Sequence, residues 1–246
     1  MTLPLFLKAT QFLLILLLLV SASQAQNMNA EQLLEAAIQH HDPHQRWQNF
    51  NDTLIIEMTA PKQSPRKSTV AINIGLDYFY LQAQRNNINT TYIVDKNECE
   101  LMLNGKISFN ETEAKLNNLN CDRAYMLKNY YTYLYGLPMK AKDPGAIIQN
   151  SVLKTTFKGK EYLRLKVSYN EGVGDDVWFF YFNPKTFALE VYQFFKTDKN
   201  RNIIKESGEY ILLFQETEIG GIKMPKIRRW YYNKDDKYLG TDTLLN

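Results

Sequence analysis

The second half of the chain restricts the fold most. Strand-like segments follow one another across short turns, which leaves no room for the crossover helices that parallel pairing needs. They fall near Ile147 to Phe157, Tyr162 to Tyr169, Val177 to Phe182, Leu189 to Thr197, Tyr210 to Gln215 and Lys226 to Tyr232, with turns at Asn183-Pro184, Asp198 to Asn200 and Gly220-Gly221. This half therefore predicts an antiparallel meander. Val177 to Phe182 and Tyr210 to Phe214 are apolar at every position, so both faces of the sheet must be covered there. A packed interior or a cavity that takes up a ligand would each meet that demand.

The first half adds helices. Asn29 to His41 predicts a helix with Asn29 as N-cap, Gln32 three residues on, an apolar stripe of Leu33, Leu34, Ala37 and Ile38, and Pro43 as its stop. Strands follow: Leu54, Ile56 and Met58 alternate with polar neighbours, as do Val70, Ile72 and Ile74 after a turn from Pro61 to Pro65. Tyr78 to Ala83 and Thr91 to Val94 continue the pattern. Cys99 to Leu103, Asn104-Gly105 and Lys106 to Phe109 read as a hairpin, because Asn-Gly supplies the two positive φ angles of a type I′ turn. A second helical region, about Thr112 to Tyr135 with a break near Asn117 to Asn120, places Ala124, Leu127, Tyr131 and Leu134 on one face and ends at Gly136 and Pro138. An aromatic fraction of 13% agrees with a mainly β chain.

Residues 1 to about 26 have the pattern of a cleavable secretory signal peptide. Lys8 is followed by an unbroken apolar core from Phe12 to Val20 and by the small residues Ser23 and Ala25 at the cleavage positions. That core is shorter than the roughly 20 residues needed to span a bilayer, and no other segment could cross one. The expectation is an exported, periplasmic protein whose mature part, 27–246, is one domain and a monomer. The balance of 29 basic and 26 acidic residues gives +3, and loss of Lys8 lowers it to +2. So even a charge excludes a nucleic-acid partner. In an oxidising compartment the only two cysteines, Cys99 and Cys121, are expected to pair.

Signs of chemistry are sparse. His40, His41 and His44 cluster with Asp42, and His40 and His44 have the spacing of two metal ligands on a helix. Pro43 interrupts that helix, however, and no third ligand can be nominated. The expectation is a solvated helix end with His41 near its negative pole, and an Asp42-Pro43 turn that aims Trp47 into the core. Asp175-Asp176, beside Gly172 and Gly174, is too short of oxygen ligands for calcium. Nucleophile elbows, phosphate loops and Cys-x-x-Cys pairs are missing from the sequence. Neither a catalytic residue nor a cofactor or metal is assigned, and the chain is read as a non-enzyme; a hydrolase acting through His41 and Asp42 ranks below a binding role. Asn51, Asn89 and Asn110 match the glycosylation acceptor pattern.

Two segments carry a family resemblance: Tyr133 to Lys140 with Lys142 to Gly145, and Glu218 to Pro225 with Arg228, Arg229 and Trp230. The chain resembles uncharacterised exported proteins of Gram-negative bacteria related to the lipoprotein carriers LolA and LolB. The first segment, together with His41 to Pro43 and Arg46-Trp47, is similar to a narrower family of unknown function. The resemblance implies a strongly curved antiparallel sheet, a half-open barrel of about eleven strands, with helices covering its concave face. It implies also a cavity for acyl chains. No residue here aligns with the arginine latch of LolA. The implied ligand is a lipid, a lipoprotein acyl chain or a similar apolar molecule. Its cavity would be drawn from Trp178, Phe180, Phe182, Tyr192, Phe194 and Trp230 on strands and from Leu127 and Tyr131 on a helical plug that includes Leu134. The rival expectation is a non-catalytic envelope protein with a self-packed cavity, docking on a partner protein.

Overall fold

A computed structural model describes residues 28–246; the signal peptide expected at the N-terminus lies outside the described residues. Helix α1, Ala30–His41, starts at the anticipated capping box: Gln32 N donates to Asn29 Oδ1 and Asn29 N donates to Gln32 Oε1. Its stripe of Leu33, Leu34 and Ala37 is fully buried. Five strands follow in an antiparallel meander: β1 (Asn51–Ala60), β2 (Gln63–Asn73), β3 (Tyr78–Arg85), β4 (Ile88–Asp95) and β5 (Glu98–Leu103). Then come α2 (Glu111–Leu116) and α3 (Cys121–Tyr135). A second meander runs through β6 (Ala146–Ile148), β7 (Leu153–Phe157), β8 (Lys160–Tyr169), β9 (Val177–Phe182), β10 (Leu189–Phe195), β11 (Glu209–Ile219), β12 (Ile222–Tyr232) and β13 (Tyr238–Leu244).

β1 and β13 pair antiparallel, from Ile56 opposite Leu244 to Thr59 opposite Thr241, and so join the two meanders into one sheet of 13 strands. The sheet is open: β5 ends one side, and β6 and β7 lie end to end along β8 on the other. The resemblance implied about eleven strands and the sheet has thirteen: of the twelve segments read as strands, Lys106 to Phe109 is lost, Ile147 to Phe157 splits in two and β13 is added. Gly240 and the polar run Thr241 to Thr243 disguise the strand character of β13. A Cβ on Gly240 would sit 2.6 Å from the Thr59 carbonyl oxygen, so close strand approach requires glycine there.

Two further expectations are corrected. Asn104 and Gly105 do adopt positive φ, but Lys106 to Phe109 forms no return strand, only a bridge from Lys106 to Leu103. Asn110 captures the chain instead, capping α2 through a reciprocal pair with Glu113. The turn placed at Pro61 to Pro65 shrinks to Pro61-Lys62, and Pro65 lies inside β2, where the pairing with β1 shifts register and a missing N–H is tolerated.

α3 is wrapped by the sheet. Tyr131 stacks on Phe79 of β3 at 6.2 Å, and Tyr133 meets Trp178 of β9 at 5.1 Å. Those strands lie seven places apart in the sheet, about 34 Å if it were flat, against a helix about 10–12 Å wide. Only a strongly curved sheet brings both to one helix. Ala124, Leu127, Tyr131, Leu134 and Tyr135 are its buried face, which agrees with the plug expected of this segment.

The two-sided apolar strands find cover on both faces. Phe180 and Phe182 point into the main core, while Tyr181 belongs to a smaller cluster with Tyr162 and Val191. Cationic side chains roof that outer face: Arg164 lies 4.9 Å from the Phe179 ring, Lys158 4.7 Å from Tyr210 and Arg229 4.8 Å from Phe214.

A disulfide joins Cys99 in β5 to Cys121 at the start of α3, with Cα atoms 5.9 Å apart. It ties the plug to the edge of the sheet across a separation of 22 residues. Replacing both cysteines by serine is expected to lower stability by roughly 3 kcal/mol, read from urea unfolding of the two proteins without reductant. Equal midpoints would show that the bridge constrains little of the unfolded chain.

Candidate functional site

His44 is exposed and His40 partly so, as expected of a solvated helix end, but His41 is not solvated. His41 is 1% exposed. Its Nδ1 lies 2.8 Å from the Lys223 carbonyl oxygen and its Nε2 accepts from Leu189 N at 2.9 Å. A carbonyl only accepts and an amide N–H only donates, so the ring is neutral with its proton on Nδ1. Burial lowers its pKa to about 4, the main cause being loss of hydration of the charged form. His40 Nε2 approaches Glu216 Oε1 at 2.8 Å, and the ligand atoms of His40, His41 and Glu216 lie within 4.8 Å of one another. With both His41 nitrogens committed to backbone, that trio keeps two free donors and does not fit a metal ion. Asp42 ties down the next turn as expected, its two oxygens accepting from Arg46 N and Trp47 N.

Two spaces lie beside α3. A cavity of about 730 Å³ opens between α3 and the inner face of β1, β9, β10, β12 and β13. Its walls are mainly apolar, with Met58, Met126, Leu134 and Val173 around the rings of Tyr130, Tyr133, Trp178, Phe194 and Trp230. A second space of about 570 Å³ lies on the other side of the helix and shares Asn129, Tyr133, Val173, Asp176 and Trp178 with the first. The contact between Tyr133 and Trp178 therefore acts as the partition.

Of the eight residues nominated for an apolar cavity, Trp178, Phe194 and Trp230 line this one. Phe180, Phe182 and Tyr192 are 1%, 0% and 1% exposed and pack in the core behind it. Leu127 and Tyr131 are also buried core residues; Tyr131 stacks on Phe79, and its hydroxyl accepts from Arg66 Nη2 at 3.1 Å. The nomination chose residues on the right strands but could not tell a wall from the layer behind it. Tyr130 and Tyr133 escaped it, although they sit three apart on the helix face beside the buried stripe.

Of the acidic groups in the cavity, Asp176 was weighed only as a calcium ligand, and Glu209 and Asp242 escaped notice. Trp230 Nε1 donates to Asp242 Oδ2 at 3.0 Å, and Arg228 is the cross-strand partner of Asp242. Arg228 is 1% exposed. Its guanidinium lies 3.8 Å from the Tyr135 ring and donates through Nη1 to the Pro225 carbonyl. Asp176 and Glu209 complete the charged lining. Burial raises all three carboxyls above their ordinary range, Asp242 among them despite Arg228 and Arg66 nearby.

Among the described residues, no helix is long and apolar enough to cross a membrane. The chain is similar in structure to a LolA superfamily protein from Nitrosomonas europaea, at 10% identity and a TM-score of 0.48, over 89% of this chain and 92% of that one. It is similar also to a DUF1329 family protein from Desulfovibrio piger, at 10% identity and a TM-score of 0.45, over 88% of this chain and 91% of the other. No curated protein matches it by sequence. A family model spans residues 8–246, and by that match the chain belongs to DUF6503, a family of unknown function.

Proposed function

We propose that this protein binds and carries an apolar ligand, such as a lipid or an acyl chain, in the cavity between α3 and the concave face of the sheet. The observation that supports it is the unfilled space itself: about 730 Å³ walled by aromatic and aliphatic side chains beside a well-packed core. That falls in the range of about 300–1,000 Å³ usual for small-molecule sites. Burial of an alkyl chain contributes about 0.8 kcal/mol per CH₂, so a dozen groups would give micromolar affinity after association costs. The role proposed is binding; the rival hydrolase reading through His41 is disfavoured, because both nitrogens of that ring are committed to backbone groups. The Cys99–Cys121 bridge agrees with residence in an oxidising compartment such as the periplasm. An envelope protein with a self-packed cavity is the poorer reading, because the space is open.

Native mass spectrometry of protein purified from cells tests the proposal. A population heavier than the chain by the mass of a lipid, lost on organic extraction, is expected. A bare mass, together with no uptake of a fluorescent fatty acid by the extracted protein, would rule the reading out.

A further inference from the structure

Every ionisable carboxyl or basic side chain that lines the larger cavity is acidic: Asp176, Glu209 and Asp242. None of the three belongs to an ion pair among the described residues, whereas Glu35, Asp77, Glu111, Asp143, Glu190 and Asp236 each have a lysine partner. Lys196 is the basic group near Asp176 and Glu209, and Arg228 and Arg66 lie near Asp242. Neither arginine lines the cavity, and Arg228 is held against the Tyr135 ring and the Pro225 carbonyl. Asp242 is fixed in place through one oxygen by Trp230.

The rings around these carboxylates form two groups. Tyr130 stacks with Trp230 at 6.3 Å, and Trp178 with Phe194 at 5.0 Å. An aromatic ring offers a cation its negative face, and a partly dehydrated carboxylate offers it a full charge. An anionic end group would meet the opposite: three like charges and no basic side chain in the wall.

We infer that the ligand carries a cationic alkyl-ammonium end, held among Trp230, Tyr130, Asp242 and Glu209, with its apolar body along the remaining rings. The inference rests on the reading of the cavity as a ligand site and specifies the charge of what enters it. A cation compensates the charge of the three partly dehydrated carboxylates, so the site gains more from an ammonium than from a neutral head group.

The test uses three amphiphiles with the same twelve-carbon tail, below micelle-forming concentrations: dodecyltrimethylammonium, dodecyl maltoside and dodecyl sulfate. Calorimetric titration of delipidated full-length protein at neutral pH is expected to show the ammonium binding about tenfold or more tightly than the other two. Asp242→Asn keeps an acceptor for Trp230, and Glu209→Gln changes a less buried position. Each is expected to reduce the preference for the cation several-fold and to leave dodecyl maltoside unaffected, with an unchanged melt confirming the fold. Equal binding of all three, or a preference that survives in both variants, would overturn the inference and leave the carrier reading intact. If none of the three binds, the carrier reading fails and this inference with it.

Discussion

Leu127→Ala is expected to lower the unfolding free energy by about 2–5 kcal/mol, because it deletes three methyl or methylene groups from a packed site and leaves a void. Leu127 is 7% exposed and sits on the buried face of α3, within the main core. It lines neither cavity. Urea unfolding should therefore show a large shift, while binding of a fluorescent fatty acid well below the melt stays near the wild-type value. An unchanged midpoint would mean that α3 is not wedged into the sheet. A large loss of binding with no loss of stability would mean that Leu127 faces the ligand.

Acid should weaken the protein through His41. The unfolded imidazole takes up its proton near 6.5, the folded one not until about 4. Between those values the unfolded state binds more protons, so stability is full above 6.5 and is lost as the pH falls towards 4. At about 1.36 kcal/mol per pH unit, the loss across that window is about 3 kcal/mol. His40, Glu216 and Lys223 face the same ring, and other acidic groups titrate in the same range. The measurement is therefore a difference: unfolding free energy at pH 7 and pH 4 for wild type and for His41→Asn, which cannot take the proton. A slope common to both proteins would remove His41 from the account.

Much of the frame was legible in the sequence. The Asn29 capping box, the meander and the amphipathic face of α3 all depend on periodicity and turn chemistry, which are local. Pairing of β1 with β13 is not local, and Gly240 with the polar run Thr241 to Thr243 gave the last strand no pattern to read. His41 was misjudged for a related reason. Its solvation depends on Lys223 and Leu189, far along the chain, bringing a carbonyl and an amide to its two nitrogens. At the cavity, aromatic strand residues were the right class. Which of them form the wall was decided by the angle at which α3 crosses the sheet, and this also placed Tyr130 and Tyr133. Asp242 could not be found before its strand was known.

The junction of β1 with β13 also bears on how the protein reaches this state. Each meander forms from neighbours in sequence, but the seam joins strands from opposite ends of the described chain, so its closure is the contact of highest order in the sheet and carries the largest loop-entropy cost. Until it forms, the two half-sheets have no shared curvature and α3 has nothing to hold it on both sides. The apolar inner face is then open to water and to other chains. A chain made from its N-terminus receives β13 after every other strand. Its vulnerable interval therefore lasts until the sheet is nearly complete, and a holding factor that shields apolar surface would be of most use in that interval.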